Sequence, residues 1–408
     1  MLLIYILNLV LILALAWPLC IHKPTPKKKL CYLAVTFGAL FLLAALRQGI
    51  GNDYDTYIEI YQRIGATPVS QLWAMPEEKG YVLLCKLLSL ISMDTVFLYA
   101  VMALLCLVPV AWFIYRYSPN VWLSTWLYVT LTFFYGTMNF VRQNLAVAIL
   151  LLGFPLLRRR KIPAALCYAG VILLACTFHK SAIIMLPILL VCYIPLKKWV
   201  LGTYAGLALA LYVTSGYIID FITDYIYTQY KGKIYLELGF GFHFLIVPAL
   251  ILLLALCTQK KVTERYPDGG LMVNMMLYSF LIWLFITKHF VLERFSLYVY
   301  IFVLLAVPMA CETFAPDNAM MEKYQSLREE LRQARSLGGK SPKLKSLSRQ
   351  FGAMKETVAL QQVYYWCVVG AVLVATFCYQ VFGMYDGTNG FHGVFPYHSF
   401  VGFLERLP

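Results

Sequence analysis

Charged residues are scarce in this sequence: they make up 13% of the 408 residues, whereas 61% of the residues are hydrophobic. A soluble domain carries about 25% charged and about 45–50% apolar residues. The shortage of charge argues against a soluble enzyme, a disordered protein and a fibrous repeat. A helix needs about 20 apolar residues to cross a bilayer, so a chain of this length has room for about a dozen crossings. The composition predicts an all-α polytopic membrane protein.

Acidic residues are fewer than basic ones. The 20 Asp and Glu stand against 34 Lys and Arg, which gives a net charge of +14. In a soluble domain such an excess would indicate nucleic-acid binding. In a membrane protein the excess is expected, because Lys and Arg concentrate in the cytoplasmic loops. We therefore expect a lipid bilayer around the chain and no nucleic-acid partner.

Common metal, cofactor and nucleotide motifs are absent as well. The 11 cysteines form no CxxC pair and the six histidines form no HxxxH or HExxH pattern, so we expect neither disulfides nor a metal site. The sequence has no Walker A motif, no GxGxxG loop and no GxSxG elbow. ATP hydrolysis and α/β-hydrolase chemistry therefore lack support, and we expect no cofactor.

Long apolar runs are what the sequence does contain. Twelve of them cover residues 2–19, 31–46, 95–115, 121–135, 139–157, 163–178, 181–196, 199–216, 240–257, 271–287, 291–311 and 363–383. The first lacks the basic start and the cleavage site of a signal peptide, so it predicts a span. A shorter run, residues 80–92, carries Lys86 and predicts a partial helix that does not cross. Twelve crossings place every basic cluster in the cytoplasm and both termini outside.

Three polar or aromatic segments interrupt or follow these runs within a single membrane domain, residues 1–408. Residues 47–94 form an outer-face loop with the partial helix, and residues 384–408 form an aromatic outer-face tail. Residues 312–360 form a cytoplasmic basic insert. We expect the insert to follow the membrane surface, with docking of a partner as the alternative.

Three arginines lie near the outer ends of predicted spans, where the positive-inside rule disfavours them. They are Arg47, Arg142 and Arg294. An ionisable residue at membrane depth is a functional candidate, and guanidinium groups match phosphate oxygens bidentately. The arginines therefore predict a phosphate clamp. The alternatives are snorkelling of Arg142 to the interface and local pairing of Arg294 with Glu293.

Other polar residues gather at the same predicted face. His179, Lys180 and Ser181 form a polar turn between two apolar runs. The turn is a candidate site for proton transfer or phosphate contact. The alternative is a capped connection between two helices. In the loop after Arg47, carboxylates alternate with tyrosines, a pattern that suits sugar binding, although ordinary solvated acids would also explain it. The candidates for sugar binding in this loop include the acids Asp53, Asp55 and Glu78 and the aromatic ring of Tyr57.

The order of these motifs resembles the EpsG family of bacterial exopolysaccharide proteins, which is grouped with Wzy-type polysaccharide polymerases. The matching pieces are Arg47 with Gly51-Asn52-Asp53 and Tyr57, Glu78-Lys79-Gly80-Tyr81, Arg142-Gln143 with Leu145-Ala146, His179-Lys180-Ser181-Ala182, Arg294 with Tyr298, and Pro396-Tyr397. They extend over most of the chain. The length of the basic insert is the main departure from the family pattern.

The resemblance implies a GT-C-like glycosyltransferase in the bacterial plasma membrane, with its active site facing the periplasm or the cell exterior. Its substrates would be oligosaccharides linked to undecaprenyl pyrophosphate, polymerised into exopolysaccharide, capsule or O-antigen with release of undecaprenyl pyrophosphate. A flippase and a chain-length regulator are the partners of such an enzyme. Direct displacement at the anomeric carbon would invert its configuration. We expect the transferase to be metal-independent.

The resemblance and the residue chemistry together assign expected roles. Pyrophosphate binding is expected of Arg47, Arg142, Arg294 and Lys180. The general base is either Asp53 or His179. Sugar contacts are expected of Asp55, Tyr57, Glu78, Tyr298 and Tyr397.

Two other classes of function remain as alternatives. A transporter of lipid-linked oligosaccharide or solute predicts charged groups at mid-membrane. An outer-face acyltransferase would use His179 as its base. The product distinguishes them: longer glycans, moved substrate or an acylated sugar.

Overall fold

A computed structural model describes residues 2–225, 242–289, 292–336, 342–385, 393–394 and 397–398. These residues form α-helices with short 3-10 and π segments, and they contain no β-strand. The helices of the first half are α1 (Leu2–Ala16), α2 (Pro26–Ala45), α3 (Tyr54–Ala66), α4 (Lys79–Ser89), α5 (Thr95–Tyr117), α6 (Val121–Thr130), α7 (Phe133–Asn139), α8 (Val141–Leu152), α9 (Phe154–Leu157), α10 (Ile162–Cys176) and α11 (Met185–Val191). Those of the second half are α12 (Lys198–Tyr225), α13 (Ile246–Arg265), α14 (Gly269–Ile286), α15 (Glu293–Tyr300), α16 (Val303–Glu312), α17 (Asn318–Ser336) and α18 (Pro342–Tyr385).

Seven segments of the described chain are long and apolar enough to cross a membrane. They are Leu3–Ile21, Pro26–Ala45, Thr95–Tyr117, Lys198–Tyr217, Ile246–Arg265, Gly269–Ile286 and Leu344–Gly383. An eighth results if α15 and α16, bent by 45° at their junction, count as one broken span. The chain is thus a polytopic all-α membrane protein, and the twelve full spans predicted from the sequence are not confirmed.

The difference arises where apolar runs fold as broken or short helices. The run over residues 121–135 divides into α6 and α7 at Thr132, whose φ of 70° lies in the left-handed region. A second break at Phe140 separates α7 from α8. Helices α8, α10 and the segment Lys180–Val191 are apolar but have only 10–17 residues each. Hydropathy recognises apolar runs, but it does not locate breaks of this kind, which depend on tertiary contacts.

The centre of the bundle consists of helices that are apolar on every side. Every residue of α6 is buried, and so is every residue of α16 from Val303 to Cys311. Polar side chains tie these helices to their neighbours: Ser124 Oγ donates to the Leu304 carbonyl at 2.6 Å, and Trp126 Nε1 donates to Thr376 Oγ1 at 3.0 Å. Interhelical hydrogen bonds of this kind stabilise helix packing in lipid.

Helices α3 and α4 pack against each other in a second, smaller apolar cluster that also includes residues of α5 and α8. Lys86, on α4, donates through Nζ to the carbonyls of Gly65 and Thr67 at 2.8 and 2.9 Å. Its charge therefore stabilises the C-terminal end of α3, where negative carbonyl dipoles collect. Arg63, in the last turn of α3, forms an ion pair with Glu77.

The predicted basic insert contributes to two helices. Helix α17 packs against α18, and α18 continues without a break for 44 residues from the insert into the last candidate span. Most of the predicted tail, including His392, lies outside the described residues. Its described part contacts the loop between α2 and α3, since the Gln48 and Gly51 amides donate to the carbonyls of His398 and Gly393 at 3.0 and 2.9 Å.

Candidate functional site

Glu78 lies at the centre of a cluster of polar side chains from three parts of the chain. Arg142 Nη1 is 2.7 Å from Glu78 Oε2, and the Lys180 amide donates to Glu78 Oε1 at 3.5 Å. His179 Nδ1 lies 3.7 Å from the same Oε1. The exposed fractions are 11% for the Glu78 side chain, 17% for His179 and 27% for Arg142, so the cluster is shielded but remains partly exposed.

A close approach of two backbones brings Glu78 to His179. The Gly80 amide, at the start of α4, donates to the Thr177 carbonyl at 2.8 Å, just after α10 ends. A Cβ atom on residue 80 would collide with the Thr177 side chain and lie 2.9 Å from its carbonyl oxygen. Glycine is therefore required here by the packing of α4 on the end of α10.

Arg142 occupies the second position of α8, immediately after the break at Phe140. A cation there is unfavourable, because the helix dipole is positive at this end. The ion pair with Glu78 offsets this cost. Two tyrosine rings flank the guanidinium, with the centroid of Tyr57 6.0 Å and that of Tyr81 5.8 Å from Cζ. The ring faces add cation–π attraction and hold the guanidinium at the end of the helix.

Helix α15 is tied to the cluster through the backbone of Arg294. Gln143 Nε2 donates to the Arg294 carbonyl at 2.7 Å, and Ser181 Oγ lies 3.0 Å from the Tyr298 hydroxyl. The Arg294 residue itself is exposed. Its backbone is therefore fixed while its guanidinium remains accessible beside the cluster.

The surroundings of His179 favour its neutral form. The pKa of His179 is lowered to about 4, chiefly by burial; Glu78 acts in the opposite direction, and the positive charges of Arg142 and Arg294 add to the lowering. Nδ1 is buried and has no hydrogen-bond partner among the residues that the structure describes. At neutral pH the imidazole is uncharged and has one nitrogen able to accept a proton.

Arg47 lies in a second environment, next to α5. Its side chain is 1% exposed, donates through Nη1 to the Ala44 carbonyl at 2.6 Å, and has Cζ 4.0 Å from the Tyr99 ring centroid. Burial lowers the pKa of its guanidinium. Its Nε and Nη2 atoms have no hydrogen-bond partner within the described part of the chain. Arg47 is thus a buried cation with spare donors, and its contacts are not with Glu78.

The remaining predicted residues fall around these two environments. Asp53 immediately precedes α3, and its amide donates to Asn139 Oδ1 at 3.2 Å. Asp55, in the first turn of α3, is exposed, as is Lys180. Tyr397 is buried, and its hydroxyl donates to the Leu43 carbonyl at 2.8 Å, on the side of Arg47.

Two residues of the cluster were not predicted as site residues. Gln143 fixes the Arg294 backbone, and Tyr81 packs against Arg142. Both follow a predicted residue closely, Gln143 directly after Arg142 and Tyr81 three residues after Glu78. Glu78 was expected to contact sugar, and its place between Arg142 and His179 was not foreseen, because the sequence does not show which acid meets which base.

The cluster combines two guanidinium groups, one carboxylate and a neutral imidazole. Its charge therefore favours an anion, and the imidazole is able to accept a proton. No group of three or more His, Cys, Asp or Glu side chains suited to a metal ion occurs among the described residues.

Comparison with known families decides what kind of protein carries this cluster. The model of the EpsG family matches residues 30–321. This range covers more than half of the chain and contains Glu78, Arg142, His179 and Arg294. The chain belongs to the EpsG family. No curated protein and no solved structure matches it.

Membership of the EpsG family indicates a function like that of a polysaccharide polymerase. The match ends at residue 321, so α18 and most of the basic insert lie beyond it. The cluster around Glu78 and the buried Arg47 both belong to the part that the family shares.

Proposed function

We propose that this EpsG-family chain is a membrane glycosyltransferase that joins oligosaccharide repeat units carried on undecaprenyl pyrophosphate. The units are polymerised at the outer face of the bacterial plasma membrane, and undecaprenyl pyrophosphate leaves. The fold is proposed to be GT-C-like, and a flippase and a chain-length regulator are the proposed partners. The observation that carries the proposal is the Arg142–Glu78–His179 cluster beside Arg294 in a chain of this family.

The proposed pyrophosphate site uses the guanidinium groups of Arg142 and Arg294. Both residues lie at the second position of a helix, α8 and α15 respectively, so the positive ends of two helix dipoles add to their charges. Cations placed where charge develops stabilise a leaving pyrophosphate in the transition state. The exposed Lys180 and the buried Arg47, with its two spare donors, are further candidates for the same anion.

The chemistry is proposed to be a direct displacement. The acceptor hydroxyl attacks the anomeric carbon of the donor sugar while Asp53 or His179 removes its proton. One displacement inverts the anomeric configuration. Asp55, Tyr57, Glu78, Tyr298 and Tyr397 were expected to contact sugar. Of these, Asp55 is exposed, whereas Tyr57, Tyr298 and Tyr397 are buried.

The test is a polymerisation assay with the purified protein in lipid bilayers. A lipid-pyrophosphate-linked oligosaccharide is added without nucleotide and with a chelator, and the products are resolved by size. We expect a ladder spaced by one repeat unit. Folded protein that gives no ladder with its native repeat unit would contradict the proposal. Transfer of the substrate across the bilayer, or an acylated sugar, would instead establish a transporter or an acyltransferase.

A further inference from the structure

Glu78 stands between two groups that each need an acceptor. Its Oε2 accepts from Arg142 at 2.7 Å, while its Oε1 faces Nδ1 of His179 at 3.7 Å. Nδ1 of His179 and Nε of Arg142 are both buried without a hydrogen-bond partner in the described part of the chain. A buried polar atom without a partner is unfavourable, and the carboxylate oxygen that faces Nδ1 at 3.7 Å needs only a small shift to become its partner.

The carboxylate also decides which nitrogen of His179 carries the proton. A neutral imidazole has one N–H donor and one accepting nitrogen, and a hydrogen bond to one nitrogen selects the tautomer. A carboxylate facing Nδ1 favours the proton on Nδ1, because only that tautomer has a donor to offer it. The lone pair of the neutral ring then lies on Nε2, on the opposite side of the ring.

We propose that Glu78 is a positioning residue which holds the proton of His179 on Nδ1 and thereby makes Nε2 the general base for the acceptor hydroxyl. The inference rests on the proposed function and selects His179 over Asp53 as the base. It also replaces the expected sugar contact of Glu78 with a role between Arg142 and His179. Hydrogen bonds at catalytic sites often tighten when substrate binds, and the 3.7 Å between Oε1 and Nδ1 allows such a tightening.

The proposed step balances in atoms and charge. The hydroxyl oxygen of the acceptor sugar forms a bond to the anomeric carbon of the donor, and its proton moves to Nε2 of His179. The bond from the anomeric carbon to the pyrophosphate oxygen breaks, and its electron pair leaves with the lipid pyrophosphate beside Arg142 and Arg294. The resulting imidazolium is stabilised by Glu78 and later returns its proton to solvent.

Substrate also strengthens the base. The charged groups that act on His179 are Glu78, before α4, Arg142 on α8 and Arg294 on α15, with Lys180 next in the chain. Both arginines disfavour the imidazolium, so the negative charge of a bound pyrophosphate counteracts them and raises the pKa of His179 above about 4. Donor binding and activation of the acceptor are therefore coupled, which limits proton uptake when no donor is present.

The first test reads the tautomer and needs no turnover. ¹⁵N-histidine NMR of the full chain in lipid nanodiscs resolves the ring nitrogens, and the His179→Gln variant assigns the signals. We expect the Nδ1–H tautomer in the wild-type protein and loss of this preference in Glu78→Gln. An Nε2–H tautomer in the wild-type protein would overturn the inference, whether or not the variant folds.

The second test measures polymerisation by Glu78→Gln against pH. We expect kcat to fall about 10²–10⁴-fold, the range typical of general acid–base catalysis, with little change in KM for the donor. The acid limb of the pH–rate profile should move to lower pH, because removal of the carboxylate lowers the pKa of His179. The matched control is Glu77→Gln, which removes the neighbouring carboxylate, paired with Arg63, and should leave the profile in place.

The two tests separate the inference from the proposed function. Unchanged kcat and pH profile, or a rise in KM alone, would show that Glu78 does not act through His179. A wild-type protein that forms no ladder would contradict the polymerase function, while the NMR result would still decide the contact between Glu78 and His179.

Discussion

Arg142 is a cation at the positive end of a helix, where its ion pair with Glu78 and two tyrosine rings offset the unfavourable position. Under the proposed function this shielded cation binds the pyrophosphate. A buried or shielded guanidinium presents two parallel donors to a phosphate, which the ammonium group of lysine does not.

Replacing Arg142 tests this assignment. We expect Arg142→Ala to lower kcat about 10²–10³-fold, the range found when one donor to a developing negative charge is removed. Arg142→Lys should recover only part of the rate, because a point charge replaces a bidentate group. Size-resolved product assays at saturating and limiting donor measure both effects.

Arg63→Ala is the matched control for Arg142→Ala. Arg63 also pairs with a shielded glutamate, Glu77, so both variants lose a glutamate pair, and only Arg142→Ala should lower the rate of polymerisation. Full polymerisation by a correctly inserted Arg142→Ala protein would refute the pyrophosphate role.

The pKa of His179 provides a second prediction at the residue scale. Added inorganic pyrophosphate should raise this pKa, because negative charge near Arg142 and Arg294 favours the imidazolium. An NMR titration of the histidine ring between pH 3 and 8, with and without pyrophosphate, measures the shift. The shift should be smaller in Arg142→Ala, and an equal shift in that variant would place the anion elsewhere.

At the scale of elements, the site depends on where helices break. Helix α8 begins after the break at Phe140, and α4 begins against the end of α10 through Gly80 and Thr177. The positions at which α8 and α4 begin bring Arg142 Nη1 to 2.7 Å from Glu78 Oε2. A continuous helix through residue 140 would carry Arg142 in mid-span.

Gly80→Ala tests the packing of α4 on α10. The added methyl would collide with Thr177, so we expect a loss of about 1–3 kcal/mol, the usual cost of overpacking, together with a large loss of activity as Glu78 moves away from His179. Thermal unfolding in lipid and the polymerisation assay measure the two effects.

Gly170→Ala, within α10, is the control for Gly80→Ala. A Cβ at residue 170 meets no atom within 4 Å, so this change should raise stability by about 0.5–1 kcal/mol through helix propensity. Equal behaviour of the two variants would mean that the close approach at Gly80 does not position the site.

At the scale of the whole molecule, the described part of the C-terminal tail returns to the N-terminal helices. Tyr5, on α1, donates to the Val394 carbonyl at 2.6 Å, and Tyr397 donates to the Leu43 carbonyl at 2.8 Å. Their rings lie 6.0 Å apart in an edge-to-face arrangement, with Arg47 close by. Tyr5 and Tyr397 thus both lie near the buried Arg47.

Removal of the Tyr5 or the Tyr397 hydroxyl tests these contacts between the tail and the N-terminal helices. Tyr5→Phe and Tyr397→Phe should each cost about 1–3 kcal/mol, because each leaves a buried carbonyl without its donor. Because the two rings touch, the double variant should deviate from additivity. Melting temperatures in lipid measure all three. Tyr217→Phe, on an 82% exposed side chain of α12, is the control and should leave the melting temperature unchanged.

Much of the architecture follows from composition and hydropathy, because a segment that crosses a bilayer must satisfy its backbone hydrogen bonds internally, as an apolar helix does. Seven of the twelve apolar runs correspond to candidate spans, and the run over residues 291–311 corresponds to the bent pair α15–α16. The order of short motifs was also sufficient to indicate the EpsG family, which the match over residues 30–321 confirms.

Helix breaks and polar partners depended on the tertiary structure. The left-handed Thr132, the start of α8 at Val141 and the contact of Gly80 with Thr177 arise from packing between segments distant in sequence. Such packing placed Glu78 between Arg142 and His179 and left Arg47 buried in a separate environment. An apolar run shows that a segment prefers lipid or core, but the partner of a charged side chain is decided only when helices are brought together.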